Sequence, residues 1–389
     1  MTKLSDLRVL LVADSGSVMR EDSFKSGLYP EIFRIFQSLF GNTKICFGDD
    51  TIVFDNHELS NLKRISKKLG LKQRVINRLL HFIEIFIGRN IYIEKYFYRH
   101  LLNNLTFEFD LVVSITSTSH AGVLGYLISK KLDIPFIILE HKTHYQRGLI
   151  RFWHKRLIRH VQLSAKIVAP VSESLEKCLK KFNPDIKTQV VYNPIGSEMF
   201  ETTSSPLMSK LNDFTNGCYC FGSWTTWRKI KRLDLLLDAF SDLKLKSERP
   251  CKLIVGGSSV NAEQISRMSK DPDILFLGSL GRQDIHSLSA FVDCCVVCSD
   301  HETFGLPIAE AMAQGTPVIA TKSGGVEDLI DESLGLVIKH DDLHALVNAM
   351  KFMTKKKVFS KKKIKQFARD KFSSEAIKKI WSNLLSNYL

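Results

Sequence analysis

Short apolar runs of strand length alternate with helical patterns along two stretches of this chain, and this alternation limits the fold more than any other feature. In the first half the strand-like runs are RVLLVA, KICFG, DLVVSIT, PFIILEH, KIVAPV and QVVY. In the second half they are CYCFGS, KLIVGG, ILFLG, CCVVCS and PVIAT. Helical patterns lie between them, including HAGVLGYLISKKL, SESLEKCLKKF, RLDLLLDAFSDLKL and DLHALVNAMKFM. Two such series predict two doubly wound α/β domains.

The length of the chain agrees with two domains. With 389 residues it exceeds the size that a single hydrophobic core usually organises. Turn-forming residues are concentrated over 196–216, and we expect the connection there. The predicted domains are an N-terminal one over 1–200, a C-terminal one over 201–370 and a closing segment over 371–389. Ligands of doubly wound sheets bind at the carboxyl ends of the strands, so we expect a binding cleft between the two domains.

Composition excludes several classes of protein. Hydrophobic residues make up 44% of the chain, which is typical of a globular protein and not of a disordered one. The eight cysteines lack histidines at metal-ligand spacing, so we interpret them as reduced thiols that pack in the core of a cytoplasmic protein. The apolar run near the start is too short for a signal peptide, and no uncharged apolar stretch reaches the length of a membrane span.

The segment 299–330 concentrates the residues that favour a ligand site. Glu302 follows the apolar run CCVVCS, Gly305 permits close approach of the backbone, and Pro307 suits the start of a helix. The exposed N–H groups of a helix start attract anions, and Glu310, one turn into that helix, is able to accept hydrogen bonds from hydroxyl groups. On spacing alone an ordinary turn into a helix explains the same residues.

Longer motifs carry a family resemblance. The two glutamates in an E-x7-E arrangement, followed by EAMAQGTPVIAT and SGGVEDLI, resemble the nucleotide-sugar site of retaining glycosyltransferases of family 4. That family has the GT-B fold, in which two Rossmann-like domains enclose a cleft. The resemblance implies a metal-independent hexosyltransferase that uses a UDP- or GDP-sugar as its substrate and needs no cofactor. The implied acceptor is a glycan or a lipid-linked glycan of surface polysaccharide synthesis.

The same resemblance implies roles for the residues of this segment. Glu302 would hold hydroxyl groups of the donor sugar, and Glu310 would hold the ribose diol. The neighbouring backbone would contact the sugar or the phosphates at Phe304, Gly305, Leu306, Gly324 and Gly325.

The first half of the chain supplies a histidine. PFIILEH is similar to the family's strand that ends in a histidine facing the donor sugar, which implies His141. His144 is an alternative, and a histidine after a strand is often only a local hydrogen-bond partner. For Ser172, which precedes ESLEKCLKKF, we favour the role of a helix N-cap.

The diphosphate contact departs from the family pattern. In FGSWTTWRKIKRLDLLLDAF, Lys231 matches the family's lysine, but Ser223 stands at the position of its arginine and Arg232 at that of its glycine. Arg228 or Lys229 is a candidate for the missing cation. A basic group here would neutralise the departing diphosphate, as a divalent metal does in other enzymes.

Positive charge is distributed unevenly. The formal net charge is +14, and residues 61–100 contain ten Lys or Arg against two Glu, a local charge of +8. Aromatic and aliphatic residues are mixed into this segment, which suits the anionic inner face of the cell membrane. The segment RFWHKRLIRH at 151–160 is similar in character. A helical hairpin packed on its own domain explains 61–100 equally well.

Two other functions remain open at this point. A sugar-nucleotide epimerase has the same fold, and the net charge also fits a nucleic-acid-binding protein. The second alternative is disfavoured because the basic residues are interleaved with apolar bulk and no recognition motif is present. We therefore expect nucleotide sugar, acceptor and anionic membrane as partners, and no nucleic acid.

The membrane interpretation of 61–100 predicts charge-dependent binding to vesicles. Each basic residue near an anionic surface contributes about 1 kcal/mol. We expect weaker co-sedimentation with anionic liposomes at low salt when six residues become glutamine: Lys63, Arg64, Lys67, Lys68, Lys72 and Arg74. Equal pelleting of the variant and the wild type would identify the segment as a packed hairpin.

Overall fold

A computed structural model of the chain describes residues 6–13, 28–40, 42–47, 52–54, 108–202, 205–355 and 359–388. Within these ranges the chain forms two compact units. The first contains the described residues up to Val191 and those from Lys378 onward, and the second contains Tyr192–Ile377. Each unit is built on one sheet with parallel pairing, which confirms the predicted pair of doubly wound α/β domains.

The sheet of the first unit has six strands among the described residues. They are β1 (Arg8–Ala13), β2 (Asn42–Phe47), β3 (Ile52–Phe54), β4 (Leu111–Ile115), β5 (Phe136–Glu140) and β6 (Ile167–Pro170). They lie in the order β3-β2-β1-β4-β5-β6, and all pairs are parallel except β2 with β3. Every residue of β4, β5 and β6 is buried, as expected for strands covered on both faces.

Four helices of the first unit are described before its C-terminal segment. They are α1 (Leu28–Leu39), α2 (His120–Leu132), α3 (Phe152–Ser164) and α4 (Glu173–Phe182). The hydroxyl of Ser172 accepts a hydrogen bond from the backbone N–H of Leu175 at 3.1 Å. This geometry confirms Ser172 as the N-cap of α4.

The second unit contains another six-stranded sheet. Its strands are β7 (Tyr219–Trp224), β8 (Cys251–Gly256), β9 (Ile274–Gly278), β10 (Cys294–Val297), β11 (Val318–Thr321) and β12 (Gly335–Ile338). The order is β12-β11-β10-β7-β8-β9, and every pair is parallel. The central strands β7 and β10 contribute Phe221, Cys294 and Val296 to one hydrophobic core.

Helices of the second unit cover this sheet. They are α5 (Pro206–Thr215), α6 (Leu233–Lys246), α7 (Ala262–Lys270), α8 (Arg282–Phe291), α9 (Leu306–Ala313), α10 (Leu343–Lys355) and α11 (Lys361–Phe372). Short 3-10 helices occupy Ser197–Phe200, Lys229–Lys231 and Gly325–Asp328. The last helix, α12 (Ser374–Ser386), begins in the second unit and ends in the first.

Three local predictions differ from the structure. The run QVVY at 189–192 is not a strand, although Val191 donates its backbone N–H to Pro170 beside β6. The segment 196–216, where turn residues predicted the connection, contains α5, with Pro206 in its first turn and a buried Leu211. Strand β12 was not predicted, although GLVI is a short apolar run; it lies at the edge of the sheet, where Val337 is exposed.

Both sheets reverse their strand order at one place. In the first sheet the chain builds outward from β1 to β3 and then places β4 on the other side of β1. In the second it builds from β7 to β9 and then places β10 beside β7. Loops that leave neighbouring strands in opposite directions open a crevice at the carboxyl ends, where doubly wound proteins bind their ligands. The junction of β7 with β10 is therefore the expected position of a site in the second unit.

An aromatic contact holds the C-terminal segment in the first unit. The rings of Trp381 and Phe36 are both buried and meet edge to face, with their centroids 5.0 Å apart. We expect Trp381→Ala to lower the free energy of unfolding by about 3–5 kcal/mol, because it leaves a large cavity in this core. Urea denaturation followed by circular dichroism measures the loss. Lys379→Ala, at an exposed position of the same helix, is the control, and a loss below about 1 kcal/mol for Trp381→Ala would contradict the packing role.

Candidate functional site

An ion pair occupies the junction between β7 and β10. Lys231 ends the 3-10 helix that follows β7, and its ammonium group contacts the Oε1 atom of Glu302 in the loop after β10. Only 11% of the Lys231 side chain and 10% of the Glu302 side chain are exposed. Ser299 also donates its hydroxyl to Oε1 of Glu302 at 2.8 Å. The structure thus brings together Lys231 and Glu302, two residues to which the resemblance gives roles in binding the donor.

Backbone hydrogen bonds fix the loop that carries Glu302. Its N–H donates to the carbonyl of Ser323 at 2.9 Å, and its own carbonyl accepts the N–H of Gly325 at 2.9 Å. These bonds form a short parallel bridge between Glu302 and Gly324. The loops after β10 and β11 are therefore linked by backbone hydrogen bonds, and Gly324 and Gly325 lie next to the predicted sugar-binding carboxylate.

Two glycines are required by the geometry of these loops. Gly305 precedes α9 with φ of 93°, a conformation that residues with a side chain rarely adopt. A Cβ atom on Gly325 would lie 2.1 Å from the carbonyl oxygen of Thr303, so only glycine fits there. A further carboxylate, that of Glu327, accepts the N–H of Gly324 at 2.8 Å. Glu327 thus stabilises the turn that contains the two glycines.

The start of α9 lies one residue earlier than the sequence indicates. Leu306 is its first residue and Pro307 its second, where the missing N–H of proline is still harmless. Phe304 is buried and its ring meets that of Phe372 at 90°, with 5.5 Å between centroids. The side chain of Phe304 therefore anchors the loop, which leaves its backbone as the part available to a ligand.

Glu310 has a partner that sequence reasoning missed. The indole N–H of Trp224 donates to its Oε2 atom at 2.7 Å, across 86 residues of sequence. The pKa of Glu310 is raised above its ordinary value, because the effect of burial exceeds the opposing effects of the Trp224 hydrogen bond and the charge of Arg282. The position of Trp224 at the carboxyl end of β7 is the signal that would have found it, because the strand ends form the site.

A small recess opens between these groups. It has a volume of about 210 Å³ including the part open to solvent. Its walls come from the ends of β7 and β10 and the loops after them, and they are Ser223, Trp224, Thr225, Trp227, Lys231, Val297, Cys298, Ser299, Glu302 and Pro307. Trp227 is held there by its indole N–H, which donates to the carbonyl of Gly256 at 2.8 Å. A cation, a carboxylate and aromatic walls in one recess suit a ligand that has both hydroxyl groups and negative charge.

Four positions near this recess bear on the source of the diphosphate-binding cation, and they differ in whether they reach it. Ser223, at the position of the family's arginine, is buried and donates its hydroxyl to the carbonyl of Val296 at 2.6 Å. Arg228 and Lys229, the predicted substitutes, are both exposed, and neither lines the recess. Among the described basic residues, Lys231 is the one in its wall.

Arg232 explains how the chain tolerates losing the family's glycine. It has φ of 52° and ψ of 51°, the left-handed conformation that glycine adopts without strain. Its guanidinium group contacts Asp341 at 2.7 Å, Asp234 at 3.1 Å and Asp300 at 3.3 Å. These three carboxylates pair with the guanidinium group, and Arg232 does not line the recess.

His141 lies in the first unit, directly after β5. Burial lowers its pKa to about 3, and the nearby charge of Lys142 adds to the effect. The imidazole is therefore neutral at physiological pH, and it is suited to hydrogen bonding with a sugar and not to charge stabilisation. His144 lies one turn further along the loop and is partly exposed.

Glu140 organises the surroundings of His141 and was also missed. It is fully buried, and its Oε1 atom accepts the hydroxyl of Thr116 at 2.8 Å and the N–H groups of His141 and Lys142 at 3.1 Å each. Its Oε2 atom accepts the N–H of Ser117 at 2.8 Å and the hydroxyl of Ser117 at 2.5 Å. A charged residue inside the apolar run PFIILEH is the signal that would have revealed it.

The side-chain arrangements of the described residues also bear on metal binding and redox chemistry. No cluster of three or more His, Cys, Asp or Glu side chains with a metal-binding arrangement occurs in the described part of the chain. The seven cysteines from Cys178 to Cys298 are all free thiols. Burial raises the pKa of the Cys298 thiol to about 12, so this cysteine in the recess wall is an unreactive packing residue.

Comparison with solved structures identifies the class of the fold. HepE from Anabaena, solved in complex with UDP and glucose, superposes with a TM-score of 0.71 at 18% sequence identity. The match covers 98% of this chain and 100% of HepE. Together with the two doubly wound α/β units, this similarity identifies the GT-B fold, as the sequence predicted.

Family models give the more specific assignment. The model described as Glycosyltransferase Family 4 matches residues 55–198, and the model described as Glycosyl transferases group 1 matches residues 221–371. The chain therefore belongs to glycosyltransferase family 4, which confirms the resemblance seen in its motifs.

Curated relatives are similar over part of their length. N-acetyl-alpha-D-glucosaminyl L-malate synthase of Bacillus anthracis is 30% identical over 181 residues, which are 45% of this chain and 46% of that protein. Alpha-monoglucosyldiacylglycerol synthase of Streptococcus pneumoniae is 28% identical over 265 residues, which are 63% of this chain and 59% of that protein. The chain thus spans about half to three-fifths of the length of these two relatives.

The ion pair predicts a coupled effect on stability. Lys231→Met leaves the buried carboxylate of Glu302 without its cation, and we expect a loss of about 3 kcal/mol in the free energy of unfolding. Adding Glu302→Gln should restore most of that loss, since the unpaired charge is then absent. Urea unfolding of the two single variants and the double variant measures the coupling, with the exposed Lys229→Met as control. Strictly additive effects would show that the two side chains do not interact.

Proposed function

We propose that this chain is a retaining glycosyltransferase. It transfers a hexose from a UDP- or GDP-sugar to a glycan or a lipid-linked glycan of surface polysaccharide synthesis. The observation that carries the proposal is the Lys231–Glu302 ion pair at the β7–β10 junction, beside the loops of Gly305 and Gly325. Both matching family models are of glycosyltransferases, which favours transfer over the epimerase alternative.

Lys231 is assigned to the diphosphate of the donor. Negative charge grows on this group as the bond to the sugar breaks, and a cation in a secluded recess stabilises that charge strongly. The start of α9 adds backbone N–H groups and the positive end of a helix dipole. Arg228, exposed in the same loop, remains a candidate for a second contact once a donor is present.

Glu302 is assigned to the hydroxyl groups of the donor sugar. In the structure it shares Oε1 between Lys231 and Ser299, and a bound diphosphate would compete for the ammonium group. The carboxylate would then accept hydrogen bonds from the sugar while the bridge to Gly324 keeps its backbone in place. Donor binding and the positioning of Glu302 are coupled in this proposal.

Glu310 is assigned to the ribose diol. Trp224 contacts one of its oxygen atoms, and a carboxylate accepts hydrogen bonds at both. The Trp224 bond also orients the carboxylate before the nucleotide arrives, which lowers the entropy lost on binding. His141 is assigned to the donor sugar or the acceptor path, as the family resemblance implies.

The proposed location is the inner face of the cell membrane, in the cytoplasm. No helix in the described part of the chain combines the length and apolar composition that spanning a bilayer requires. Peripheral attachment is proposed because of the basic, aromatic character of the sequence at 61–100. The six basic residues between 61 and 100 that are predicted to bind an anionic membrane lie outside the described residues. Their role stays a prediction from the sequence.

Variants of the two glutamates test these assignments. We expect Glu310→Ala to weaken nucleotide binding by roughly 1–3 kcal/mol, the value of a lost hydrogen bond to a charged group. Glu302→Ala should reduce turnover far more than nucleotide affinity, because its contacts are with the transferred sugar. Calorimetric titration with UDP and GDP, followed by kinetics with the sugar donor, separates the two effects.

Suitable controls make this test decisive. Glu332→Ala removes an exposed carboxylate of the same unit and should change neither property. A thermal-shift screen of nucleotide sugars first identifies the donor, since ligand binding stabilises the folded state. Proton NMR of the product then shows whether the anomeric configuration is retained. A fully active Glu302→Ala enzyme, or an inverted product, would overturn the proposal.

Metal independence is a separate prediction. If Lys231 and the start of α9 carry the charge of the diphosphate, transfer should proceed at an unchanged rate in excess EDTA. The measurement compares initial rates with EDTA, with added Mg²⁺ and with added Mn²⁺. Activity that is lost with EDTA and restored by Mn²⁺ would assign the charge to a metal instead.

A further inference from the structure

The outer surface of α3 and the loop before it expose apolar side chains in an unusual concentration. Eight large hydrophobic side chains are exposed among the described residues, and four of them lie between 149 and 163. These are Leu149, Phe152, Trp153 and Leu163, with Phe152 exposed to 75%. The other four are scattered through the second unit. An exposed apolar cluster of this kind indicates an interaction surface.

The charge of the same segment has one sign. Residues 141–172 contain seven Lys or Arg and no Asp or Glu. Arg147, Arg151, Lys155, Arg156 and Arg159 are all exposed. Salt bridges therefore cannot form within the segment. The guanidinium group of Arg159 donates to the carbonyl of Phe182 at 2.9 Å, and the other four basic side chains are exposed to solvent.

Helical spacing places both features on one face. Leu157, Ile158 and Val161 form the buried side of α3. Phe152, Arg156, Arg159 and Leu163 follow one another at intervals of four, three and four residues, so they share the opposite side. We call this exposed surface, together with Leu149, Arg151, Trp153 and Lys155, the α3 face.

The aromatic end of the α3 face is internally supported. The rings of Phe152 and Trp153 meet edge to face, with 4.6 Å between centroids. The guanidinium group of Arg151 lies over the Trp153 ring at 5.7 Å. Phe152 and Trp153 thus form an apolar tip with basic residues beside it. Tryptophan is a residue that favours the boundary between lipid and water.

The start of α3 lacks the usual electrostatic complement. No acidic residue lies in its first turn, and Arg151 is its N-cap. Positive charge at the positive end of a helix dipole is unfavourable, so the isolated unit bears a cost that an external anion would offset. This is a second reason to expect an anionic partner.

We propose that the α3 face docks on a bilayer that contains anionic lipids. Phe152 and Trp153 insert at the level of the headgroups, and Arg151, Lys155 and Arg156 contact lipid phosphates. The inference rests on the proposed function, since a lipid-linked acceptor lies in such a surface. It differs from the prediction for 61–100, because every residue of the α3 face lies in the described part of the chain.

Other partners fit the surface less well. Nucleic acid would use the basic residues but gives no reason for Phe152 at 75% exposure next to Trp153. An acidic protein would require a matching apolar pocket, whereas a bilayer accepts an apolar tip surrounded by cations without one. These partners become outcomes of the test.

Co-sedimentation with vesicles tests the proposal. The full chain is mixed with phosphatidylcholine vesicles, or with vesicles that also contain phosphatidylglycerol, at low and high salt. One variant carries Phe152→Ser and Trp153→Ser, and another carries Arg151→Gln, Lys155→Gln and Arg156→Gln. Matched controls carry Leu245→Ser and Phe352→Ser, or Lys361→Gln, Lys362→Gln and Lys363→Gln, at exposed positions of the second unit.

The expected results separate charge from insertion. Wild type and both controls should bind anionic vesicles at low salt, and the triple glutamine variant should bind roughly 100-fold more weakly, at about 1 kcal/mol for each basic residue. The Phe152 and Trp153 variant should lose the fraction that remains bound at high salt. Indole fluorescence that shifts to shorter wavelength in wild type and not in Trp153→Ser would show insertion.

Other outcomes would overturn membrane docking by the α3 face and leave the proposed glycosyltransferase activity unaffected. Equal binding by the α3 variants and their controls would remove the α3 face as the docking surface. Retention by random-sequence DNA in a filter-binding assay, with no vesicle binding, would assign the surface to nucleic acid. Nucleotide affinity should stay at the wild-type value in every variant. If nucleotide binding is absent in the wild type itself, it is the proposed function that fails.

Discussion

The structure of the second unit depends on an ion pair formed where the strand order of its sheet reverses. Lys231 follows the first strand of that sheet and Glu302 follows the fourth, and these strands are neighbours because the chain returns to the centre of the sheet after β9. Both side chains are nearly buried, so each depends on the other to offset its desolvation. The bridge between Glu302 and Gly324 extends this arrangement to β11. One topological feature thereby assembles the cation, the carboxylate and the glycine loop of the proposed donor site.

This chain reaches the arrangement of its family with several different residues. Ser223 replaces a cation by a buried hydroxyl that bonds to β10, and Arg232 replaces a glycine while keeping the left-handed backbone that glycine would adopt. Three aspartates pair with Arg232, which lies outside the recess. Trp224 orients Glu310 by a hydrogen bond from its indole group. The positive charge available to a diphosphate is consequently concentrated on Lys231 and the start of α9.

The first unit combines a hydrogen-bonded interior around Glu140 with the exposed apolar and basic side chains of the α3 face. Glu140 satisfies hydrogen-bond donors from two loops, and this holds the backbone on both sides of His141. The hydroxyl of Tyr145 extends the network to Ser117 and to the side chain of Gln162 on α3. The inner side of α3 is therefore tied to the surroundings of His141, while its outer side presents the α3 face. A membrane contact at that face would act on a helix that is already anchored to the interior.

The sequence by itself determined the two α/β domains and most of the strands and helices, because continuous apolar runs and helical periodicity depend only on local order. The family followed from the resemblance of its motifs and not from these patterns. The run QVVY shows the limit, since its composition is that of a strand but whether it joins the sheet depends on distant backbone. Ser172 could be assigned from sequence because an N-cap involves residues three positions apart. Only the tertiary structure decided that Lys231 pairs with Glu302, that Trp224 orients Glu310 and that Arg228 lies outside the recess. Those contacts join residues 71 and 86 positions apart, and they arise from the order of strands in the sheet, which no local pattern encodes.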